Sequence, residues 1–447
     1  MKAAADELCL RLQRLRDRNG IAIEIFAESA RERAYRLAGG VLEREPEEAR
    51  EGFAITVDHC GKTSGLGANG LSTAHVQGGL AAVSARAGVQ ALGSSRLVGL
   101  LQRVLTEWRS DLVGFSPGWE RTCADLLLST EGAAGAALSG FKADYSGSLR
   151  SFLTLGPYGW HRSSPQEHHL LECRAMAGPA NGYRRAGTRD RSRWTRWADQ
   201  AVAHAAEAGR VARAKRDAPA VRERRMAVVA ASGSSGALAH ELLGHPLESD
   251  VASSGAAGVK WTAGDQICPL PLNVLDDPFV PDGWGSYTHD DTGHPAFRRR
   301  VVQDGVVTCH IDGAGSRRRQ SFRWQPIPRM SNLCVEAGPD RADSLLAGAG
   351  EGLYLVRLGA GKVSDDGRFA VGVAEAYRIR NGALAEQVAD CVVEGRVAET
   401  ISHIEGIGND PAMGSPAACG KFGQDIPVGD GGPTLLITGL TVRPGSL

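Results

Sequence analysis

The sequence carries no excess of either charge. Fifty-one Lys and Arg residues face 51 Asp and Glu residues along 447 positions, a formal net charge of zero. It therefore lacks the positive field of a dedicated nucleic-acid or membrane-surface binder, and neither partner is expected. Long apolar runs are missing too. Every hydrophobic stretch is broken by Gly, Ser, Arg or His well short of the ~18 residues that a membrane span requires. At the N-terminus, MKAAADELCLRLQRLRDRNG, Asp6 and Glu7 interrupt the apolar segment that a signal peptide needs. The nine cysteines are odd in number and form no CxxC pair. That argues against a disulfide framework and for reduced, mostly buried thiols in a cytoplasmic protein. There is no internal repeat and no low-complexity tract.

What is present suits an ordinary globular protein. Hydrophobic content of 42% and charged content of 23% are typical of one, and 447 residues exceed a single hydrophobic core, so two domains are expected. Residues 3–18 set Leu8, Leu10, Leu12 and Leu15 among charges, the pattern of an amphipathic helix. Residues 21–28 (IAIEIFAE) alternate as a strand with one wet face; residues 53–57 form a second strand, followed by a Gly- and Ser-rich turn region through Ser72. Residues 76–105 are helix-permissive, and residues 197–215 are an Ala-rich helix. The Arg-rich run over 184–225 is interleaved with Asp190, Asp199, Glu207, Asp217 and Glu223, which reads as a solvated helix face and linker. Pro219 ends that helix, and a short apolar strand follows at 226–230. Beyond residue 260, short β-like segments recur, separated by turn signals such as Asp304-Gly305, Asp366-Gly367 and Asn381-Gly382. The expected fold class is α+β. An N-terminal mixed α/β domain over 1–220 precedes a largely antiparallel β domain over 221–447 that carries the metal-binding helix.

The chemistry-bearing motif is His240-Glu-Leu-Leu-Gly-His245, placed after a Gly/Ser loop at the start of a helix. Two imidazoles on one helical segment can bind one zinc ion, and a Glu beside the first can take a proton from an attacking water. The spacing is one residue longer than HExxH. In a regular helix, residue i+5 points roughly 140° away from residue i, at ~100° per residue. Either a π turn brings the two rings back to one side, or the helix ends near Leu243 and His245 swings in from a loop; the π turn is the expected solution.

The stretch from His240 to Asp250, HELLGHPLESD, resembles the metal-binding signature of the TldD/PmbA family of modulator-of-gyrase proteases. The resemblance continues in order through Leu275-Asp-Asp-Pro278, Trp284-Gly-Ser-Tyr287, Arg329-Met-Ser-Asn332, Gly359–Gly361 and Cys419-Gly-Lys-Phe-Gly-Gln424. It covers about residues 225–445 and is weaker but collinear before them. Pro246, Ser249 and Thr292 depart from the family pattern, where glycines and an acid are expected.

The resemblance implies a Zn2+ ion held by His240, His245 and Cys419, with Glu241 as general base, and hydrolysis of unstructured peptides, including maturation of peptide natural products. It also implies a homodimer, or a heterodimer with a PmbA-like paralogue. Glu248, Asp250, Asp276 and Asp277 are candidates for orienting the imidazoles, and Arg329 is a further candidate around the site. The basic segment 315–323 is a candidate for the substrate entrance. Two other readings remain open: an amide hydrolase acting on a small peptide-like natural product, and a non-catalytic partner subunit of PmbA type.

Overall fold

The structure, a computed structural model, describes residues 1–60, 62–87, 95–110, 112, 114, 115, 118–190, 193 and 197–446. Its N-terminal half is built on one antiparallel sheet. The main path runs Lys62–Asn69, Glu48–His59, Ile21–Ala38, Gly140–Gly156, Gln166–Ala177, Ala180–Thr188, and every pairing in it is antiparallel. Along Ile21–Ala38 the odd-numbered Ile21, Ile23, Ile25, Tyr35 and Leu37 are buried under the helices. Period-two alternation assigns those side chains to one face. Lys2–Asn19, Thr73–Ala87 and Ser95–Ser110 cover one end of that face, and Trp119–Thr130 with Trp197–Arg216 the other.

The even-numbered face does not meet water throughout. Phe26, Ala54 and Phe152 pack with Phe322 from the C-terminal half. Phe322 N donates to Glu28 Oε2 at 2.7 Å, and Arg150 bridges Glu28 (2.7 Å) and Asp291 (3.2 Å). This contact explains why the expected turn region before Ser72 is a strand, Lys62–Asn69. A Cβ added at Gly52 would lie 2.4 Å from the Phe322 ring, and one at Gly67 2.9 Å from Phe322 O. The glycines there make room for a neighbouring segment and do not mark a turn.

Two more expectations need correction. The helical stretch 76–105 is two helices, Thr73–Ala87 and Ser95–Ser110, and residues 88–94 lie outside the described ones. The basic run 184–225 is not simply a solvated face, although part of it also lies outside the described residues. Arg184 is buried between Glu375 (2.7 Å) and Glu207 (2.9 Å), and Lys215 is buried against Asp390. These pairs fasten the helix Trp197–Arg216 to the C-terminal half.

That half holds two seven-stranded sheets and a short two-stranded one, Arg317–Arg318 with Ile327–Pro328. In the first, Arg224–Ala230 pairs with Leu435–Pro444, then Cys391–Arg396, Arg368–Arg380 and Gly352–Val363, and the last strand pairs back with Arg224–Ala230. The ladder therefore closes on itself. The second sheet contains Arg299–Gln303, Val274–Asp276, Asn332–Val335 and Gln424–Gly432 in that order. Pairing is antiparallel apart from two parallel contacts, Arg224–Ala230 with Gly352–Val363 and Asn332–Val335 with Gln424–Gly432. The largest apolar core lies among these strands and takes in Leu238, Leu242, Leu243 and Leu247 from one short helix.

Candidate metal centre

That helix begins at Ser235, directly after the strand Arg224–Ala230 and a turn. Gly236 is required at its start, since a Cβ there would meet Gly431 N at 2.3 Å. Ser235–Ala239 is α-helical, His240–Gly244 is a π turn, and His245–Leu247 is α-helical again. The backbone N–H of His245 donates to His240 O, an i→i−5 bond. The helix does not end before His245, so of the two geometries the sequence left open the π turn is the one adopted. A π turn widens the repeat to about 4.4 residues, which returns residue i+5 to within ~50° of residue i. Gly244 lets the wide turn pack closely, because a Cβ there would fall 2.0 Å from Met330 Sδ.

With the rings on one side, the third donor arrives from a hairpin. Cys419 sits on Ala417–Lys421, paired with Ile426 of Gln424–Gly432, and the turn between the strands holds Phe422 and Gly423 at φ of 50° and 78°. Cys419 Sγ lies 3.3 Å from His240 Nε2 and 3.4 Å from His245 Nε2, with all three donor atoms within 4.8 Å of one another. A tetrahedral zinc with Zn–N near 2.0–2.1 Å and Zn–S near 2.3 Å would set N and S roughly 3.5 Å apart. Two imidazoles and a thiol at this separation fit such an ion.

The electrostatics agree with a shared site. Burial alone would push the Cys419 thiol up, but the two imidazoles outweigh it and hold the thiol well below its ordinary range. Burial pulls His240 and His245 down, and the Cys419 thiolate more than restores them, with Glu248 adding to the effect on His245. The three groups thus hold charge only together. Glu241 is buried beside them, and desolvation raises its carboxyl. Its carboxylate packs over the strand Gly352–Val363 at Gly361, where a Cβ would come within 2.6 Å of Glu241 Oε1. That strand is bulged between Leu358 and Gly361, and Gly359 and Ala360 are exposed there.

The candidates around the centre divide. Glu248 Oε2 is 3.0 Å from His245 Nδ1, and its other oxygen accepts from Met330 N at 3.1 Å. Burial would raise Glu248, but His245, Lys421 and Arg329 hold its carboxyl down at about 2. Asp250 accepts from Lys421 Nζ at 2.8 Å, and the same ammonium reaches Glu248 at 3.0 Å and Pro328 O at 2.7 Å. Arg329 is fully buried and donates to Cys419 O and to Gln424 O, bracing the hairpin. Asp276 and Asp277 do not reach the imidazoles. Asp276 turns to the backbone N–H and hydroxyl of Ser331, both at 2.7 Å, and Asp277 accepts from Arg298 and Phe279 N. The strand Val274–Asp276, which Asp277 follows directly, is separated from the hairpin strand Gln424–Gly432 by Asn332–Val335.

Sequence reasoning gave no role to Lys421 or Asp430. Lys421 is two residues from Cys419 on the same strand face, a signal that alternation could have supplied. Asp430 Oδ2 stands 4.0 Å from His240 Nδ1, an atom otherwise without a hydrogen-bond partner; burial pushes Asp430 up to about 6 against the pull of His240. The basic segment 315–323 is neither an entrance lining nor a solvated loop at its centre. Arg318 is buried and donates to Pro427 O at 2.8 Å, and Arg319 is buried over the Phe26 ring at 4.2 Å. The hydroxyls of Ser249 and Thr292, two of the departures from pattern, bond to Asp312 and Asp290.

Fold and centre together define an α+β protein in which two histidines of a π-turned helix and a hairpin cysteine form a buried group that could hold a metal ion. Residues 223–444 match the model of the PmbA/TldA metallopeptidase C-terminal domain, and the chain belongs to the TldD/PmbA family. A protein of Methanothermobacter thermautotrophicus named metalloprotease is 35% identical over 213 residues, covering 45% of this chain and 46% of that one. A Haemophilus influenzae protein named metalloprotease TldD homolog is 31% identical over 256 residues, covering 54% and 53%. The matched region thus spans about half the length of these relatives. Among solved structures, a Thermotoga maritima protein described as a candidate modulator of a DNA gyrase superposes with a TM-score of 0.69 at 17% identity, over 98% of this chain and 100% of that one. TldE from Thermococcus kodakarensis gives 0.62 at 13% identity, over 98% and 100%. At such identities these two show a shared fold. No helix among the described residues is long and apolar enough to cross a membrane.

Proposed function

We propose that this chain is a zinc-dependent peptidase that hydrolyses amide bonds of extended, unstructured peptides, with maturation of a peptide natural product as a candidate setting. The observation that carries the reading is the convergence of His240, His245 and Cys419 within 4.8 Å, with Glu241 on the same helical segment. A zinc ion held by those three donors would polarise the scissile carbonyl and make a nearby water more acidic.

The chain's own residues supply the rest. The buried carboxylate of Glu241 takes the proton of the attacking water and returns it to the leaving amine, a role that suits an acid whose pKa burial raises. Glu248 holds the His245 ring through Nδ1 and so fixes Nε2 as its metal-facing atom. The exposed bulge at Gly359 and Ala360 lies next to Gly361, on which Glu241 rests, and offers main-chain groups to an extended peptide. A second chain, either another copy or a PmbA-like paralogue, belongs to the proposal; light scattering of the chain alone and with that paralogue tests it, and a monomer in both would refute it.

The test of the chemistry is Glu241→Gln. The substituted chain should retain its zinc, since this side chain is not a ligand, while peptide hydrolysis falls by at least ~10²-fold. Near-normal turnover in a zinc-loaded Glu241→Gln chain would end the assignment.

A further inference from the structure

Away from the metal centre, a cavity of about 190 Å³ opens where the even face of the N-terminal sheet meets the loop 291–295. None of His240, Glu241, His245 and Cys419 lines it. Its walls include Phe26, Tyr158, Trp160 and His161, and three charged residues, Glu24, Asp291 and Arg319.

Arg319 is poorly matched to its surroundings. It is 4% exposed and lies over the Phe26 ring, yet its guanidinium hydrogen-bonds only to two main-chain oxygens, Trp324 O at 3.5 Å and Asp291 O at 3.3 Å, and its Nε has no hydrogen-bond partner. A buried guanidinium left with long, neutral acceptors is costly, and an anion is what would satisfy it. The nearest acids do not fill that need. Asp291 is bound in a double contact by Arg150 and accepts from Arg319 N. Glu24 is half-buried, lines the same cavity, and forms no ion pair within 4.0 Å among the described residues. Beside them His161 stacks on His289 with ring centroids 3.7 Å apart, and burial with that neighbour pushes it down to about 4.

The cavity therefore presents an unsatisfied cation, a separate unpaired carboxylate, and aromatic walls, within one small volume. We propose that it binds the zwitterion of an amino acid with an apolar side chain, the ligand carboxylate on Arg319, its ammonium on Glu24 and its side chain against Tyr158, Trp160 and Phe26. A zwitterion supplies both missing charges at once, and the apolar group gains from the aromatic surface. This site stands independently of the metal reading.

Saturation-transfer NMR on the full chain, with a chelator present so that no metal offers a competing site, tests it. The probe is L-phenylalanine, with phenylalaninamide lacking the carboxylate and N-acetylphenylalanine lacking the ammonium. Phenylalanine should bind saturably, and each analogue at least about tenfold more weakly, the loss of one charge-assisted contact. Arg319→Met should abolish binding. Because Arg319 is buried and that variant can misfold, Glu24→Gln is the second arm: it should weaken phenylalanine and erase its advantage over N-acetylphenylalanine. No saturable phenylalanine signal, equal binding of all three probes, or indifference to Glu24→Gln would each overturn the proposal.

Discussion

Glu248 Oε2 lies 3.0 Å from His245 Nδ1 where the π-turned helix ends, and the same carboxylate is held by Lys421 from the Cys419 hairpin. One buried acid thus ties the second imidazole to the strand that brings the thiol. Neutralising it should loosen both. Glu248→Gln is expected to lower metal affinity by about 10–100-fold, measured by competition with a chromophoric chelator. Affinity equal to that of the unsubstituted chain would mean that His245 needs no such partner.

The π turn makes its own prediction. Gly244 packs where a Cβ would overlap Met330 Sδ, so Gly244→Ala should strain the turn and destabilise the fold by about 1–3 kcal/mol. Adding Met330→Ala removes the obstructing sulfur and should restore metal content. Metal loss in Gly244→Ala that the second substitution fails to reverse would show that the turn depends on Gly244 for another reason.

Gly361 should act on rate without acting on metal. A Cβ there would press on the Glu241 carboxylate at 2.6–2.8 Å, and misplacing a catalytic group by even ~1 Å can cost about 10²-fold. Gly361→Ala is expected to keep stoichiometric metal and to lose most peptide hydrolysis. Loss of metal in step with activity would instead place Gly361 among the supports of the ligands.

The clamp between the halves should respond to acid. Hydrogen bonds from Arg210 and Arg184 hold the Glu207 carboxyl down at about 2, against a burial effect that would raise it. A carboxyl with a folded-state pKa below its unfolded one adds stability above the unfolded value, near 4.5, and loses it as pH falls towards about 2. The urea midpoint of Glu207→Gln should therefore lie below that of the unsubstituted chain at neutral pH, and the gap should close on acidification. A gap that widens as pH falls would reverse the sign.

The metal centre was legible because its chemistry is local in sequence. His240, Glu241 and His245 fall within six residues, their spacing rules out a regular helix and favours a π turn, and the resemblance added Cys419. Lys421 was within reach, since it shares a strand face with Cys419. Asp430 was not: it meets His240 only because the hairpin's second strand lies beside the start of the π-turned helix. The fold was legible in class more than in detail. Leu8 and Leu12, and the alternation from Ile21, announced the first helix and strand. The strands Gly140–Gly156, Gln166–Ala177 and Ala180–Thr188 gave no such signal, because both of their faces are partly covered and residues such as Ser151 and Thr154 are buried. Glycines at 65 and 67 read as turn residues because nothing local shows that Gln325 and Phe322, more than 250 positions away, occupy the space above them. Buried arginines at 184, 318 and 319 misled in the same way, for Glu375, Pro427 and Phe26, against which they pack, come from other segments.

The claim that His240, His245 and Cys419 share one metal ion is tested most directly by zinc-edge X-ray absorption on the zinc-loaded chain, with Cys419→Ala, Cys334→Ala and Cys391→Ala as comparisons. The expected spectrum has one sulfur near 2.3 Å and imidazole nitrogen near 2.0–2.1 Å per zinc, with the sulfur shell lost in Cys419→Ala alone. A zinc shell without sulfur in the unsubstituted chain, or one that survives Cys419→Ala unchanged, would contradict the centre described above.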